Sequence, residues 1–303
     1  MIHRVMVYTI IPCLLFAGSA MAAQSPWEEQ GARLPFKSAI IHYVVEGGDK
    51  GQETLYIRDR GMEQVHSRKT VGKSLFREVT TDKLVITTRD FVYEIDMTKK
   101  SGEKFINPTK LMIEEYGKLS ATDKEIVRKN SMEMGTNMMG GLTNSGLMRV
   151  DKGAGEILGY KCDVVSGLGT KTWLMAGSGI MLKSEFSIIG ATTTTATKVE
   201  ANASVPSSVF EPPAGVTLTY NKQKDEQNRA MAKNMMDMLK DPQMAKNMQK
   251  GQEEAAKESG KSSGNKKSAS GVTDPEIDDQ QRREANEAVK KGVDTLKSIF
   301  GGK

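Results

Sequence analysis

The chain has 303 residues, of which 27% are charged and 38% are hydrophobic. The formal net charge of +5 comes from 43 basic and 38 acidic residues that are spread along the sequence, which argues against a dedicated nucleic-acid binder. Three histidines and two cysteines exclude most zinc sites and disulfide frameworks by number alone. The low apolar share indicates that part of the chain lies outside a folded core.

Residues 1–23 are typical of a secretory signal peptide. A basic start and an apolar run precede the cleavage pattern Ala20-Met21-Ala22. The run is short for a membrane span, and the alternative is an anchor that stays attached. We therefore expect a periplasmic protein, with secretion as the alternative. Its mature form would keep Cys162 alone and form no intrachain disulfide.

Residues 24–219 alternate apolar and polar positions with a period of two, which predicts a mainly β (α+β) domain of short antiparallel strands. The first predicted strand puts Ala39, Ile41, Tyr43 and Val45 on one face, and a glycine-rich turn follows it. Strands are expected at 37–46, 53–58, 62–67, 74–80, 83–88 and 91–97, and again at 159–166, 170–176, 180–189 and 191–203.

A helical insert at about 107–139 separates the two sets of strands. Its first helix is expected to begin at Pro108. The second begins with a capping box, in which Thr122 caps the helix and Glu125 follows three positions later. The glycine pair at 140–141 is expected to end this second helix.

The chain after the strands is polar and divides into three parts. Residues 220–250 predict a methionine-rich helix, and 251–272 have the composition of a flexible linker. Residues 273–303 predict a C-terminal amphipathic helix with basic residues beside its apolar stripe. Such a helix either contacts a membrane surface or a partner protein, or it folds back on its own body.

Four short motifs follow one another in the second half of the body. They are Gly159-Tyr160-Lys161-Cys162, Thr172-Trp173-Leu174, Met181-Leu182-Lys183 and the run from Val209 to Val216 (VFEPPAGV). In this order they resemble the periplasmic lipoprotein-carrier superfamily of LolA and LolB, and more closely the allied domain-of-unknown-function group DUF4412. The resemblance covers about residues 34–219. It implies a curved, unclosed half-barrel sheet with helices as a lid over an apolar cavity.

The chain departs from this family pattern in two places. Met181 stands where relatives often carry a proline, and the long tail after residue 219 has no counterpart. No lipoprotein-handling residue of the family falls on a matching position here, so none is assigned.

A curved sheet must cover its apolar face, and a loose cover leaves a ligand cavity, whereas a tight cover leaves only a core. Both alternatives stay open for the residues that we expect inside. These cavity or core candidates are Ile41, Tyr43, Phe91, Tyr93, Trp173, Ile180, Leu182 and Phe186, and the lid candidates are Met134, Met138 and Met139.

The remaining chemical candidates are few. The 19 methionines include groups at helical spacing, which suit an adaptable apolar stripe better than a Cu(I) site. Cys162 is interpreted as a small buried hydrophobe, and His42 and His66 as surface histidines rather than metal ligands. Hydrolase, zinc-protease and phosphate-loop motifs are absent from the sequence. We therefore expect neither metal nor cofactor.

These observations predict an exported, non-enzymatic carrier that sequesters an apolar ligand, such as an acyl chain or a lipidated protein, between sheet and helices. The alternative is a periplasmic structural or interaction protein that recruits a partner or a membrane surface through its C-terminal helices.

Overall fold

The computed structural model describes residues 25–31, 34–74, 77–144, 148–167, 169–187 and 191–243. Every described residue belongs to one compact unit. The signal peptide expected at 1–23, the linker expected at 251–272 and the helix expected at 273–303 lie outside the described residues. Within the described part of the chain, no helix combines the length and apolarity that a membrane span requires.

The described strands form one mainly antiparallel, curved sheet that does not close on itself, which confirms the expected fold class. Its strands are β1 (Ala39–Gly47), β2 (Asp49–Arg58), β3 (Glu63–Ser74), β4 (Arg77–Thr87), β5 (Phe91–Asp96), β6 (Ser101–Ile106), β7 (Met148–Ile157), β8 (Tyr160–Gly167), β9 (Thr170–Met175), β10 (Met181–Phe186), β11 (Thr192–Ala201) and β12 (Thr217–Tyr220). Their spatial order is β12-β6-β5-β4-β3-β2-β1-β11-β10-β9-β8-β7.

Two meanders meet at the centre of this sheet. The first runs from β1 to β6 and the second from β7 to β11, and antiparallel pairing of β1 with β11 joins them. The short strand β12 then pairs in parallel with β6 at one edge. Gly47 ends β1 with a φ of 105°, and a Cβ there would lie 2.0 Å from the backbone oxygen of Ala191. Only glycine therefore fits where the two meanders come this close.

Several strands differ from those expected. The strands expected at 74–80 and 83–88 are not separate: 77–87 forms the single strand β4, because threonines at the assumed turn favour extended backbone, and Ser74 ends β3. The strands β6, β7 and β12 were not predicted, since charged residues and glycines interrupt the alternation in two of them and the third has only four residues.

The described helices are α1 (Pro26–Gly31), α2 (Pro108–Gly117), α3 (Ala121–Asn144) and α4 (Lys222–Leu239). Ser120 rather than Thr122 caps α3: its hydroxyl accepts from the Asp123 amide at 3.1 Å and donates to the Asp123 carboxylate at 2.8 Å. This correction follows from position, because Ser120 directly precedes the first helical residue. The glycines at 140–141 do not end α3, which continues to Asn144. A glycine inside a helix costs only about 1 kcal/mol relative to alanine.

The two faces of the sheet can be followed by register, since directly opposed residues share a face. We call the side that carries Ile41 face A and the side that carries Tyr56 face B. Ile41 lies opposite Leu55, which lies opposite His66, so these are on face A. Tyr56 lies opposite Val65, and the same register continues through Ile86 to Tyr93, all on face B.

The face of the sheet that carries a buried core changes from face A to face B between its first strands and the strands β3 to β5. The first core packs on face A of β1 and β2, and its buried members are Leu34, Phe36, Ala39, Ile41, Tyr43, Ile57, Cys162, Met175, Ile180, Leu182 and Ala196. The second core packs on face B of β3 to β5 around Val65, Ile86, Ile95 and Phe210. A separate helical cluster buries Tyr116, Val127, Met236 and Leu239. One sheet therefore supports apolar cores on opposite sides.

Candidate functional site

A cleft of about 410 Å³ lies on face B, between β2 to β4 and the segment that follows β11. We call this segment, residues 206–216, the strap. The cleft is lined by Tyr56, Val65, Ser67, Leu84, Ser208, Val209, Glu211, Pro212, Pro213 and Ala214.

Phe210 anchors the strap to the sheet. Its side chain is 4% exposed and packs in the second core. The Arg58 guanidinium lies 4.0 Å from the centre of the Phe210 ring. Arg58 also donates to the Ser207 hydroxyl at 3.3 Å and to the Glu63 carboxylate at 2.7 Å. Prolines at 206, 212 and 213 restrict the backbone on both sides of this anchor. Both walls of the cleft are therefore held in place by the fold.

The lining of the cleft combines apolar residues with polar atoms. Seven of its ten residues are valine, leucine, proline, alanine or tyrosine, while polar atoms, including the hydroxyls of Ser67 and Ser208, form about half of its surface. Glu211 is the charged residue of the lining and is exposed. A concave surface of this composition suits an apolar group with a few hydrogen-bonding contacts.

A second, smaller cleft of about 280 Å³ lies at the start of α2 and has a charged lining. Lys110 donates to Asp90 at 2.6 Å, and Arg89 pairs with Asp59. Because Lys110 and Asp90 are paired with each other and Arg89 is paired with Asp59, these charges add little attraction for an ionic ligand.

A row of polar side chains crosses face A beside the first core. Tyr43, Glu53, Arg68, Lys83 and Asp96 lie directly opposite one another on β1 to β5. The Arg68 guanidinium donates to Glu53 at 2.5 Å, and Lys83 donates to Asp96 at 2.7 Å. The Glu53 side chain is only 2% exposed. The part of face A along this row is therefore occupied by ion pairs, while Val92 and Phe105 are buried elsewhere on the same face, on β5 and β6.

The pKa values of Tyr43 and Asp96, at the two ends of this row, follow burial and pairing. Burial, and then the charge of Glu53, raise the pKa of the Tyr43 hydroxyl well above its usual range. Desolvation acts to raise the pKa of Asp96, but hydrogen bonds from Lys83, Thr98 and the Lys99 amide outweigh it and hold that pKa well below its usual range. Tyr43 therefore stays protonated and donates to the Met181 carbonyl at 2.8 Å.

The eight predicted interior residues divide into separate groups. Ile41, Tyr43, Ile180 and Leu182 are buried in the first core, where Ile41 and Leu182 are 0% exposed, and Trp173 packs against them. Phe91 and Tyr93 lie on face B, with ring centres 6.3 Å apart. Phe186 is half-buried at the end of β10. None of the eight lines either cleft described above, and their contact with a ligand stays a prediction.

The lid candidates lie on α3. Met134 packs against the helical cluster formed with α2 and α4. Met138 and Met139 belong to the same helix, and their side chains lie outside the described residues.

The cysteine and histidines have ordinary structural roles in the described chain. Cys162 is 0% exposed, and burial raises the pKa of its thiol. His42 bonds to Glu200 at 3.0 Å, and His66 bonds to Glu53 at 2.8 Å. Across the described ranges, no three or more histidine, cysteine, aspartate or glutamate side chains are grouped to hold a metal ion.

The cleft-lining residues were not identified from the sequence. The signal available was the run from Val209 to Ala214, whose paired prolines after an apolar dipeptide mark a rigid segment. Nothing in that run shows which part of the sheet it covers.

No family model matches the chain, and no curated protein matches it. Solved structures resemble it at low similarity. An uncharacterized conserved protein from Thermus thermophilus shares 6% identity over 65% of this chain and 97% of its own, with a TM-score of 0.36. PNGF-II in space group C2 shares 13% identity over 64% of this chain and 33% of its own, with a TM-score of 0.29. LprF from Mycobacterium bovis shares 11% identity over 60% of this chain and 98% of its own, with a TM-score of 0.25. The resemblance to DUF4412 stays a prediction.

Proposed function

We propose that the protein is an exported, non-enzymatic binding protein that holds an apolar chain in the face B cleft. The observation that carries this proposal is the cleft itself, with a volume of about 410 Å³ and a lining between sheet and strap in which seven of ten residues are apolar or aromatic. Small-molecule sites have volumes of roughly 300–1,000 Å³, a range that includes this cleft. The ligand class is an acyl chain, either free or attached to a lipidated protein.

The energetics favour such a ligand. Each methylene that leaves water contributes about 0.8 kcal/mol, so a chain of a few carbons gains useful affinity. The hydroxyls of Ser67 and Ser208 lie in the same lining and are suited to contact a polar end of the ligand. In this proposal the strap performs the covering role that the resemblance assigned to the helices.

The test is an equilibrium titration of the full chain with a fluorescent fatty acid. The variant Ser67→Phe places a large side chain into the cleft from β3 without removing a core residue. We expect it to weaken binding by about tenfold or more, which corresponds to about 1.4 kcal/mol.

Thr80→Phe is the matched control. Thr80 lies on face B of β4, opposite Val71, and is exposed outside the cleft. We expect its affinity to match that of the unmodified chain. Absence of saturable binding to the unmodified chain, or equal weakening by both variants, would refute the proposal. Native mass spectrometry of the chain purified from its own host then identifies the bound species.

A further inference from the structure

Methionines from three helices meet in the helical cluster. Met112 of α2, Met134 of α3, and Met235, Met236 and Met238 of α4 all pack there. They surround Tyr116, Val127 and Leu239, and the Trp27 ring packs edge-on against Tyr116 with ring centres 6.0 Å apart. Thioethers therefore supply much of the apolar contact between α4 and its two neighbours.

Several of these side chains remain within reach of solvent. Met236 is 2% exposed, but Met235 and Met238 are only half-buried. Met231, on the same helix, is 60% exposed and is not a member of the cluster. One helix therefore carries exposed, half-buried and buried methionines, of which the half-buried ones are both accessible and engaged in packing.

The other attachments of α4 are polar, and they lie at its two ends and at a middle ion pair in which Arg229 approaches Glu114 of α2 at 3.9 Å. At the first turn, Lys224 donates to Glu94 and Glu103, each at 2.9 Å, and Asp225 accepts from the Ile106 amide at 2.7 Å. At the last turn, the Asn130 side-chain amide donates to the carbonyls of Leu239 and Asp241, both at 2.8 Å. The packing of the second half of α4 rests mainly on Met235, Met236, Met238 and Leu239.

We propose that Met235 and Met238 are oxidation sites that control the docking of α4 onto α2 and α3. The oxidant is a peroxide. Its O–O bond breaks as one oxygen forms an S–O bond to the thioether, the sulfur loses two electrons, and the peroxide is reduced to water or an alcohol. The resulting sulfoxide is polar and does not fit the apolar cluster, so the second half of α4 opens while Lys224 still holds its start.

The experiment treats the full chain with hydrogen peroxide and follows it by peptide mass spectrometry and amide hydrogen exchange. As Met235 and Met238 gain one oxygen each, we expect the amides of 232–239 to exchange about tenfold faster or more. Amides of β1 and β11 keep their protection, since the first core contains neither residue. Methionine sulfoxide reductase is expected to restore slow exchange.

Leucine variants separate this effect from general oxidation. The double variant Met235→Leu/Met238→Leu keeps apolar volume and is expected to remain protected in peroxide, whereas the control Met231→Leu opens like the unmodified chain. Met238→Gln, which places a polar group at this position, is expected to loosen α4 without any oxidant. The proposal is overturned if α4 stays protected after both methionines are fully oxidised, or if the double leucine variant opens as readily as the unmodified chain.

Discussion

The two cores of the sheet are covered in different ways, and the cover of the second core leaves a cleft. On face A, β1 and β2 pack with residues from the second meander, and Ile41 and Leu182 lose all accessible surface. On face B, the cover is the strap, an irregular segment anchored by Phe210, and a cleft of about 410 Å³ remains beside it. Regular strands that carry complementary side chains fill a core, whereas the proline-rich strap packs on the sheet through Phe210 and a few neighbours such as Val209 and Val216 and leaves a cleft beside them.

The row of ion pairs explains why the cores stay apart. Glu53 and Arg68 are on face A, directly between the first core and the edge of the sheet. Burying a charge without a partner is costly, so an apolar cover does not extend over this row. Val65 and Ile86 of β3 and β4 pack on face B, where the strap reaches them, whereas Val92 of β5 is buried on face A.

Removal of α4 by truncation tests the helical cluster separately from both cores. We expect it to lower the free energy of unfolding more than the other changes do. A chain ending at Tyr220 lacks α4 and loses the burial of Met236 and Leu239, which contribute about 1.5–3 kcal/mol each. We expect its free energy of unfolding to fall by about 3–6 kcal/mol, while a chain ending at Gln243 keeps α4 and serves as the control. Urea denaturation measures both. Equal stability of the two truncations would contradict the packing described for α4.

Removing the guanidinium from the row tests the boundary between the cores. Arg68→Ala leaves the Glu53 carboxylate, 2% exposed, without its strongest partner and is expected to cost about 3–5 kcal/mol. The control Lys83→Ala, in the same row but 50% exposed, should cost about 1 kcal/mol or less. If Arg68→Ala lowers the free energy of unfolding no more than Lys83→Ala does, the ion pairs of this row do not contribute to stability. Chemical denaturation of each variant gives the values.

Replacing one leucine in the filled first core and one leucine in the cleft compares the two regions directly. Leu182→Ala is expected to lower the free energy of unfolding by about 2–5 kcal/mol, because the side chain is 0% exposed. Leu84→Ala removes a half-buried wall of the cleft and should cost only about 1 kcal/mol. The titration with a fluorescent fatty acid should show the reverse order, with a larger loss of affinity for Leu84→Ala. The same order in both measurements would place the ligand elsewhere.

The smallest expected effect is on how the stability of the fold changes with pH. The hydrogen bond from Lys224 lowers the pKa of Glu103 below its usual value. A carboxyl whose pKa is lower in the folded state stabilises the fold above its unfolded pKa, about 4.3, and loses that contribution as the pH falls. Glu103→Gln should therefore flatten part of the decline in stability below about pH 4.3. Thermal unfolding across the acid range measures this slope, and an unchanged slope would count against the pairing.

The sequence predicts which side of a single strand is buried, but it does not predict how the faces of distant strands align. The alternation of Ala39, Ile41, Tyr43 and Val45 correctly gives the buried side of β1. Phe91 and Tyr93 were assigned to the same interior, yet they lie on face B, because alternation within one strand cannot show how distant strands align. That relation depends on the register through β2, β3 and β4. The strap was missed as a cleft wall for the same reason, since its partner strands lie about 150 positions earlier in the chain.

The pairing of β1 with β11 has a consequence for how the chain acquires its structure. Residues near 40 cannot find their partners until residues near 200 have been synthesised, so the central seam of the sheet is a contact of very high sequence separation. The first meander must remain partly uncovered during that interval, with the apolar side of β1 exposed to premature association. We therefore expect slow refolding limited by this seam, and refolding yields that fall as protein concentration rises.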